Sequence, residues 1–139
     1  MIFEKQILNM YKGMMHTRCD DTETVFYFSS DDFPGLGKEP ISFTASAGHT
    51  LKGYLYQCEG AREDRLIVFD HGFGGGHRAY MKEIFMLCKR GYKVFAYDHT
   101  GCMESGGETP GGLAQSLCDL NDCIATIKAD ERFMGLIFL

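Results

Sequence analysis

The fold of this chain is decided by the stretch LIVFDHGFGGGH at positions 66–77. Its first four residues are all apolar, which is typical of a strand buried on both faces of a sheet. The glycine-rich part from His71 to His77, called the glycine loop below, predicts a backbone that turns sharply and brings N–H groups close to a ligand. Open parallel sheets carry their sites at the carboxyl ends of such strands, so this loop is the first candidate for a functional site.

Elements of alternating type follow the glycine loop. Apolar residues recur at helical spacing from His77 to Arg90, and Gly91 ends the predicted helix. A second strand is predicted at 92–97, with its apolar run from Val94 to Tyr97, and a polar, glycine-rich loop at 98–112 follows it. Another helix comes next, and its buried face is predicted from apolar residues at steps of four and three: Leu113, Leu117, Leu120, Ile124 and Ile127. The apolar residues 136–139 predict the start of a further strand.

Two more strands are predicted before the decisive stretch. Residues 41–46 and 50–58 lie on either side of Ala47-Gly48-His49, and their alternating side chains indicate an antiparallel hairpin. A short strand is also predicted at 24–28. This order of elements predicts the α/β class, with a mainly parallel sheet, helices on both of its faces and the antiparallel hairpin at the N-terminal edge.

The composition is that of a globular protein of one domain. The chain has 139 residues, 45% of them hydrophobic, and a formal net charge of -5, so neither nucleic acid nor an anionic membrane is expected as a partner. No secretory signal and no apolar run of about 18 residues is recognisable. The six cysteines form no CxxC pair. We therefore expect reduced thiols in a cytoplasmic protein, with no structural disulfide and no metal site.

Two chemistries use a glycine-rich loop after a buried strand. One is dinucleotide binding through G-x-G-x-x-G, in which Gly72 and Gly74 fit the first two positions while His77 occupies the third. Asp98, at the end of the next predicted strand, lies near the place of a ribose-binding acid. The other chemistry is an oxyanion hole, in which a backbone N–H stabilises the charge of a tetrahedral intermediate.

The chain resembles the α/β-hydrolase superfamily in three motifs that follow one another in the family's order. Residues 71–75 are similar to its His-Gly oxyanion motif. Residues 98–107, DHTGCMESGG, resemble its D-x-R-G-x-G-x-S-x-G loop, with Thr100 where the family commonly has Arg and Met103 where it has Gly. The helix with Asp119-Leu120 resembles the one before the nucleophile, and residues 43–56 resemble the opening strands.

The resemblance implies where the site lies. In family terms the oxyanion donor is the backbone N–H of Phe73, and His71, Gly72 and Gly74 belong to the binding loop. We expect His71 to orient this loop rather than to transfer protons, and His77 to begin the helix in contact with solvent. The resemblance implies a small acyl substrate, a carboxylic ester or amide, and no cofactor.

The nucleophile of the superfamily lies in G-x-S-x-G, and no such pentapeptide occurs in the 139 residues. Ser105 is better explained by its match to the preceding family loop than as a substitute. Cys102 is interpreted as an apolar filler, and Glu104 and Glu108 as solvated acids. The acid and the histidine of the triad have no counterpart in the match either.

We therefore interpret residues 1–40 as an N-terminal extension and residues 41–139 as the N-terminal half of an α/β-hydrolase domain, inactive alone. One alternative is a non-catalytic interaction module completed by another chain, and another is a nucleotide-binding α/β domain. Residues Gly135–Leu139 are apolar and carry no charge, so as an exposed sheet edge they predict self-association.

Overall fold

The computed structural model describes residues 2–20, 27–134 and 137–138. Within this part of the chain, five strands form one mixed sheet in the order β1-β2-β4-β3-β5. The strands are β1 (Leu36–Thr44), β2 (Thr50–Cys58), β3 (Arg65–Phe69), β4 (Lys93–Tyr97) and β5 (Ile137–Phe138). The α-helices are α1 (Ile2–His16), α2 (Met81–Lys89) and α3 (Leu113–Ala129), and short 3-10 helices lie at Ser30–Asp32, His77–Tyr80 and Glu131–Phe133.

The sheet combines parallel and antiparallel pairing. Strands β4, β3 and β5 are parallel to one another, whereas β1 and β2 form an antiparallel hairpin whose second strand is antiparallel to β4. The predicted α/β fold, with parallel strands and an antiparallel hairpin at the N-terminal edge, is therefore confirmed. Burial on both faces is found for β4 from Val94 to Tyr97, whereas in β3 only Leu66 is fully buried. The hairpin's first strand begins at Leu36 rather than at Ile41.

Helices cover both faces of this sheet. On one face, Phe95 and Tyr97 of β4 belong to a core cluster with α3, and on the other, Val94 and Ala96 belong to a cluster with α2. All four side chains are 0% exposed, which explains why residues 94–97 are apolar in succession instead of alternating with polar ones. Burial of each large side chain contributes about 1.5–3 kcal/mol to stability.

The buried face of α3 differs from the predicted one. Its fully buried residues are Asp119, Cys123 and Ile127, at steps of four, whereas Leu113 and Leu117 are each 68% exposed. The predicted face is wrong for Leu113 and Leu117 and right for Ile127, which is buried, while Leu120 and Ile124 are half-buried. The face is shifted because the carboxylate of Asp119 accepts hydrogen bonds from the loop after β4 and so lies inside the protein. Each helical residue is turned by about 100° from the one before it, so a helix that buries Asp119 directs Leu113 and Leu117 towards solvent.

The helix α1 was not predicted from the sequence. It carries large apolar side chains that are all at least half exposed: Phe3, Ile7, Leu8, Met10 and Tyr11. Their spacing of three and four residues was a helical signal that the prediction overlooked. The strand predicted at 24–28 lies mostly outside the described residues. None of the helices in the described part of the chain is long and apolar enough to cross a membrane.

Candidate functional site

The glycine loop leaves the carboxyl end of β3 and leads into the short helix before α2. Phe73 in this loop is half-buried, and no group among residues 2–20, 27–134 and 137–138 accepts a hydrogen bond from its N–H. The loop approaches the loop after β4 closely, since a Cβ atom at Gly76 would lie 2.4 Å from Cγ of Met103 and 2.9 Å from Oδ1 of Asp98. Glycine therefore allows the two loops to meet at this position.

His71 connects the glycine loop to the end of β4. Its ring is buried, its Nδ1–H donates to the carbonyl oxygen of Gly72 (2.9 Å), and its Nε2 accepts from the N–H of His99 (3.1 Å). Burial is the main reason that the pKa of His71 lies below its usual range. Both nitrogens of a neutral imidazole are thereby engaged with the backbone.

His99 lies between two carboxylates, Asp70 at the end of β3 and Asp119 on α3. Its Nε2 is 3.0 Å from Oδ1 of Asp70, and its Nδ1 is 3.4 Å from Oδ2 of Asp119. The longer contact is an ion pair without a hydrogen bond, because Nδ1 has no hydrogen-bond partner in the described part of the chain. Burial alone would lower the pKa of His99, but the two carboxylates outweigh it and raise the pKa to about 9. The imidazole is therefore protonated at neutral pH.

The carboxylate of Asp119 joins α3 to the loop after β4. It is 0% exposed and accepts hydrogen bonds from N–H (2.8 Å) and Oγ1–H (2.9 Å) of Thr100 and from Nε2–H of Gln115 (2.8 Å). Burial opposes ionisation, but these contacts and the one with His99 hold the pKa of Asp119 below its usual range. One buried anion thus binds the helix and the loop together.

Two neighbouring strands end in the same dipeptide. Asp70-His71 follows β3 and Asp98-His99 follows β4, and the parallel pairing of these strands places the two dipeptides side by side. Sequence reasoning assigned no role to Asp70 or His99, because neither matches a residue type of the family motifs. The repetition of Asp-His at two predicted strand ends was the signal that could have found this cluster.

The solvent contact predicted for His77 was wrong. The ring is 1% exposed, and its backbone N–H (2.9 Å) and Nδ1–H (2.8 Å) both donate to Oδ1 of Asp98. Burial opposes ionisation of Asp98, yet the hydrogen bonds from His77 hold its pKa below the usual range. A carboxylate only accepts, so Nδ1 carries the hydrogen and Nε2 accepts from the hydroxyl of Tyr56, 3.0 Å away. The position of His77 at a helix start gave no indication of its buried partners Asp98 and Tyr56.

Ser105 is held inside the loop after β4. It is 2% exposed, its Oγ–H donates to the carbonyl oxygen of Asp98 (2.5 Å), and its Oγ accepts from the N–H of Lys52 (2.9 Å). Met103 in the same loop has a φ of +43°, a left-handed conformation that favours glycine, the family's residue at this position. The hydroxyl of Ser105 is thus occupied in fixing the loop.

Solved structures share this arrangement of strands and helices. An esterase of Pyrococcus furiosus matches with a TM-score of 0.71 and 20% sequence identity over 89% of this chain. An α/β hydrolase of a Penicillium species matches with a TM-score of 0.56 and 24% identity, covering 68% of this chain and 33% of the hydrolase. An esterase of Exiguobacterium antarcticum matches with a TM-score of 0.56 and 17% identity, covering 72% of this chain and 34% of the esterase. The chain has the α/β-hydrolase fold.

The assignment of the α/β-hydrolase fold rests on the similarity to solved structures, since no protein-family model and no curated protein matches the sequence. The chain spans 45% of the length of the Pyrococcus furiosus esterase. On this α/β-hydrolase fold, Phe73, His71, Gly72 and Gly74 all lie in the loop that follows β3. Their roles in binding stay predictions.

Proposed function

We propose that this chain supplies the oxyanion-binding part of a serine-type hydrolase that acts on carboxylic esters or amides. The observation that supports it best is the N–H of Phe73, which has no acceptor among the described residues and lies in the loop connected to β4 by His71. Backbone N–H groups of a folded protein are mostly paired with the protein or with water. An oxyanion donor has no acceptor within the protein, because its acceptor arrives with the substrate.

In this function the chain stabilises charge and does not attack the substrate. When a nucleophile adds to the acyl carbon, the carbonyl oxygen becomes an oxyanion and accepts a hydrogen bond from Phe73 N–H. Such a donor is worth about 10²–10³ in rate, provided that it is held in place before the reaction. The contacts of His71 with Gly72 and His99 hold the loop in this way. With no G-x-S-x-G in these residues, the chain has no covalent route of its own.

Anion binding to the glycine loop tests this proposal. Butyrate resembles an ester product, and methylphosphonate is tetrahedral like the intermediate. We expect both to shift the amide resonance of Phe73 in a ¹⁵N-edited NMR spectrum, with saturation at millimolar concentrations. The amide of Gly60, in the turn between β2 and β3, is the internal control and should not move. The proposal is contradicted if the Phe73 resonance does not move, or if sodium chloride at the same concentration shifts it as much as butyrate and methylphosphonate do.

The isolated chain is expected not to react with a fluorophosphonate, the reagent that labels activated serines. The reason is that Ser105 is 2% exposed and both donates and accepts a hydrogen bond, so its hydroxyl is neither accessible nor activated. Intact mass spectrometry after incubation measures the label, with an active serine esterase as the positive control. Stoichiometric labelling that disappears in Ser105→Ala would identify Ser105 as a nucleophile and reverse this assignment.

An interaction function is favoured by the position of β5. This strand is the last in the order of the described sheet, and residues 135–139 are apolar and uncharged, so we propose that a second copy of the chain pairs with it. Sedimentation velocity at tens of micromolar should show a dimer or larger species, and Ile137→Lys should shift the population to monomer. Leu117→Lys, on the exposed side of α3, is the matched control. A monomeric wild-type chain contradicts this prediction.

A further inference from the structure

Residues 17–20 lie across the loop that follows β4. The N–H of Cys19 donates to the carbonyl oxygen of Gly101 (2.9 Å), and the N–H of Met103 donates to the carbonyl oxygen of Cys19 (2.8 Å). Together these bonds form a parallel bridge between Cys19 and Cys102, although 83 positions separate the two residues in the sequence.

The guanidinium of Arg18 holds this segment in place. Its Nη1–H donates to the carbonyl oxygen of Gly107 (2.6 Å), and its Nη2–H groups donate to those of Ser105 (2.9 Å) and Met103. Its Nε also forms an ion pair with Asp20 at 2.8 Å. An arginine that donates to three carbonyls of one loop fixes the position of Cys19 against that loop.

The bridge brings two thiols together. The thiols of Cys19 and Cys102 are close enough for Cys19 to help raise the pKa of Cys102, and neither residue is in a disulfide. Backbones paired in this way lie about 4.8 Å apart. That spacing falls within the Cα separation of about 4.4–6.8 Å that a disulfide requires. The backbone separation at this bridge therefore permits a bond between the two sulfurs.

We propose that Cys19 and Cys102 form a redox modification site, in which a peroxide converts the two thiols into a disulfide that ties the N-terminal segment to the loop after β4. Because this loop contacts the glycine loop at Gly76, the disulfide would join the N-terminal segment to the framework of the candidate site.

The oxidation proceeds in two balanced steps. The Cys19 thiol loses its proton, and its sulfur attacks one oxygen of hydrogen peroxide. The O–O bond breaks, and the released hydroxide takes up the proton, so that Cys19 becomes a sulfenic acid and one water leaves. The sulfur of Cys102 then attacks the sulfur of Cys19 and the S–O bond breaks. The leaving hydroxide takes up the proton of the Cys102 thiol, so a second water leaves as the S–S bond forms. Two thiols lose two electrons and two protons, and one peroxide becomes two waters.

The order of these steps follows from burial. Cys19 is half-buried and meets the oxidant first, whereas Cys102 is 2% exposed. Burial is also the main reason that the pKa of Cys102 is raised to about 12, which makes it a poor first nucleophile at neutral pH. Cys102 is suited to the second step, because the sulfenic acid that it attacks is on Cys19, its neighbour in the bridge, and does not have to enter from solvent.

Thiol counting after oxidation tests this site in the intact chain. Ellman's reagent in denaturant counts the free thiols, and we expect one equivalent of hydrogen peroxide to lower this count from six to four. Peptide mapping should then recover a Cys19–Cys102 cross-link. Cys19→Ser should keep all of its remaining thiols under the same treatment. Cys118→Ser, which removes an exposed thiol on α3, should still lose two.

The wild-type map decides the question even where a variant fails to fold. The proposal is overturned if Cys19 and Cys102 can still be alkylated after other thiols have been consumed, for example by a Cys58–Cys88 linkage. It is also overturned if Cys19→Ser loses two thiols at the wild-type rate.

Discussion

Replacing Gly101 with alanine is expected to lower the free energy of unfolding by about 3–5 kcal/mol. A Cβ atom at this position would lie 2.2 Å from the carbonyl carbon of Thr109 and 2.4 Å from its oxygen. These are backbone atoms, which cannot rotate away as the end of a side chain can. The φ of Gly101 is +67°, so alanine would also be strained in this conformation. Urea unfolding followed by circular dichroism measures the loss.

Gly60→Ala is the matched control for this substitution. Gly60 has a φ of +76°, but no atom lies within 4 Å of the Cβ that alanine would add. It should cost only the conformational strain, about 1–2 kcal/mol. If both variants lose the same stability, residues 109–110 yield to the new methyl group, and the close contact with Gly101 does not hold the loop.

Replacing Asp119 with asparagine is expected to cost about 3–5 kcal/mol, because it removes the fully buried carboxylate that pairs with the buried imidazole of His99. Both carboxylate oxygens of Asp119 accept hydrogen bonds. In asparagine one of them becomes an NH₂ group, which cannot accept and so faces a hydrogen-bond donor without pairing with it. His99, protonated between two acids in the native chain, keeps only Asp70. Urea unfolding at neutral pH measures this loss.

The cost of Asp119→Asn is expected to depend on pH. The pKa of His99 is raised in the folded chain to about 9, against about 6.5 when unfolded. Its contribution to stability is therefore fully present below about pH 6.5 and is lost as the pH rises through about 9. The stability difference between wild type and variant should shrink over that interval. A difference that stays constant with pH would show that His99 carries no charge in the network.

Asp122→Asn is the control on the same helix. Its carboxylate accepts from the N–H (2.7 Å) and the hydroxyl (2.8 Å) of Ser46 near the surface. Its loss should cost less than about 1 kcal/mol and should show no change near pH 9, because water replaces the missing partner and no imidazole is involved. If Asp122→Asn lowers the free energy of unfolding as much as Asp119→Asn does, the burial of Asp119 does not add to the cost of losing its carboxylate.

The strands and the glycine loop could be predicted because their signals are local. A run such as 66–69 is apolar throughout when both faces of a strand are covered, and the alternation at 50–58 follows from the period of two in a half-buried strand. The two parallel strands, the hairpin and the order of helices were therefore confirmed. The family motifs added the position of Phe73, whose role stays a prediction.

Side-chain orientation on α3 and the environment of His77 could not be predicted in the same way. Apolar periodicity assigns leucines to the core, but Asp119 is buried because Thr100 and His99 supply its partners from another element. Burial of a polar residue is favourable only when such partners are present, and a pattern along one segment does not contain them. The position of His77 at a helix start likewise said nothing about Asp98 and Tyr56.

By itself, then, the sequence determined the α/β class, the parallel strands and the glycine loop at the end of β3, because period and glycine content act through the backbone of each segment. Only the tertiary structure decided which polar groups meet. It placed His99 between Asp70 and Asp119, and it brought Cys19 to Cys102 across 83 positions of sequence. Such contacts depend on how separate elements pack, and the free energy of a buried charge or thiol is set by the partner that packing brings to it.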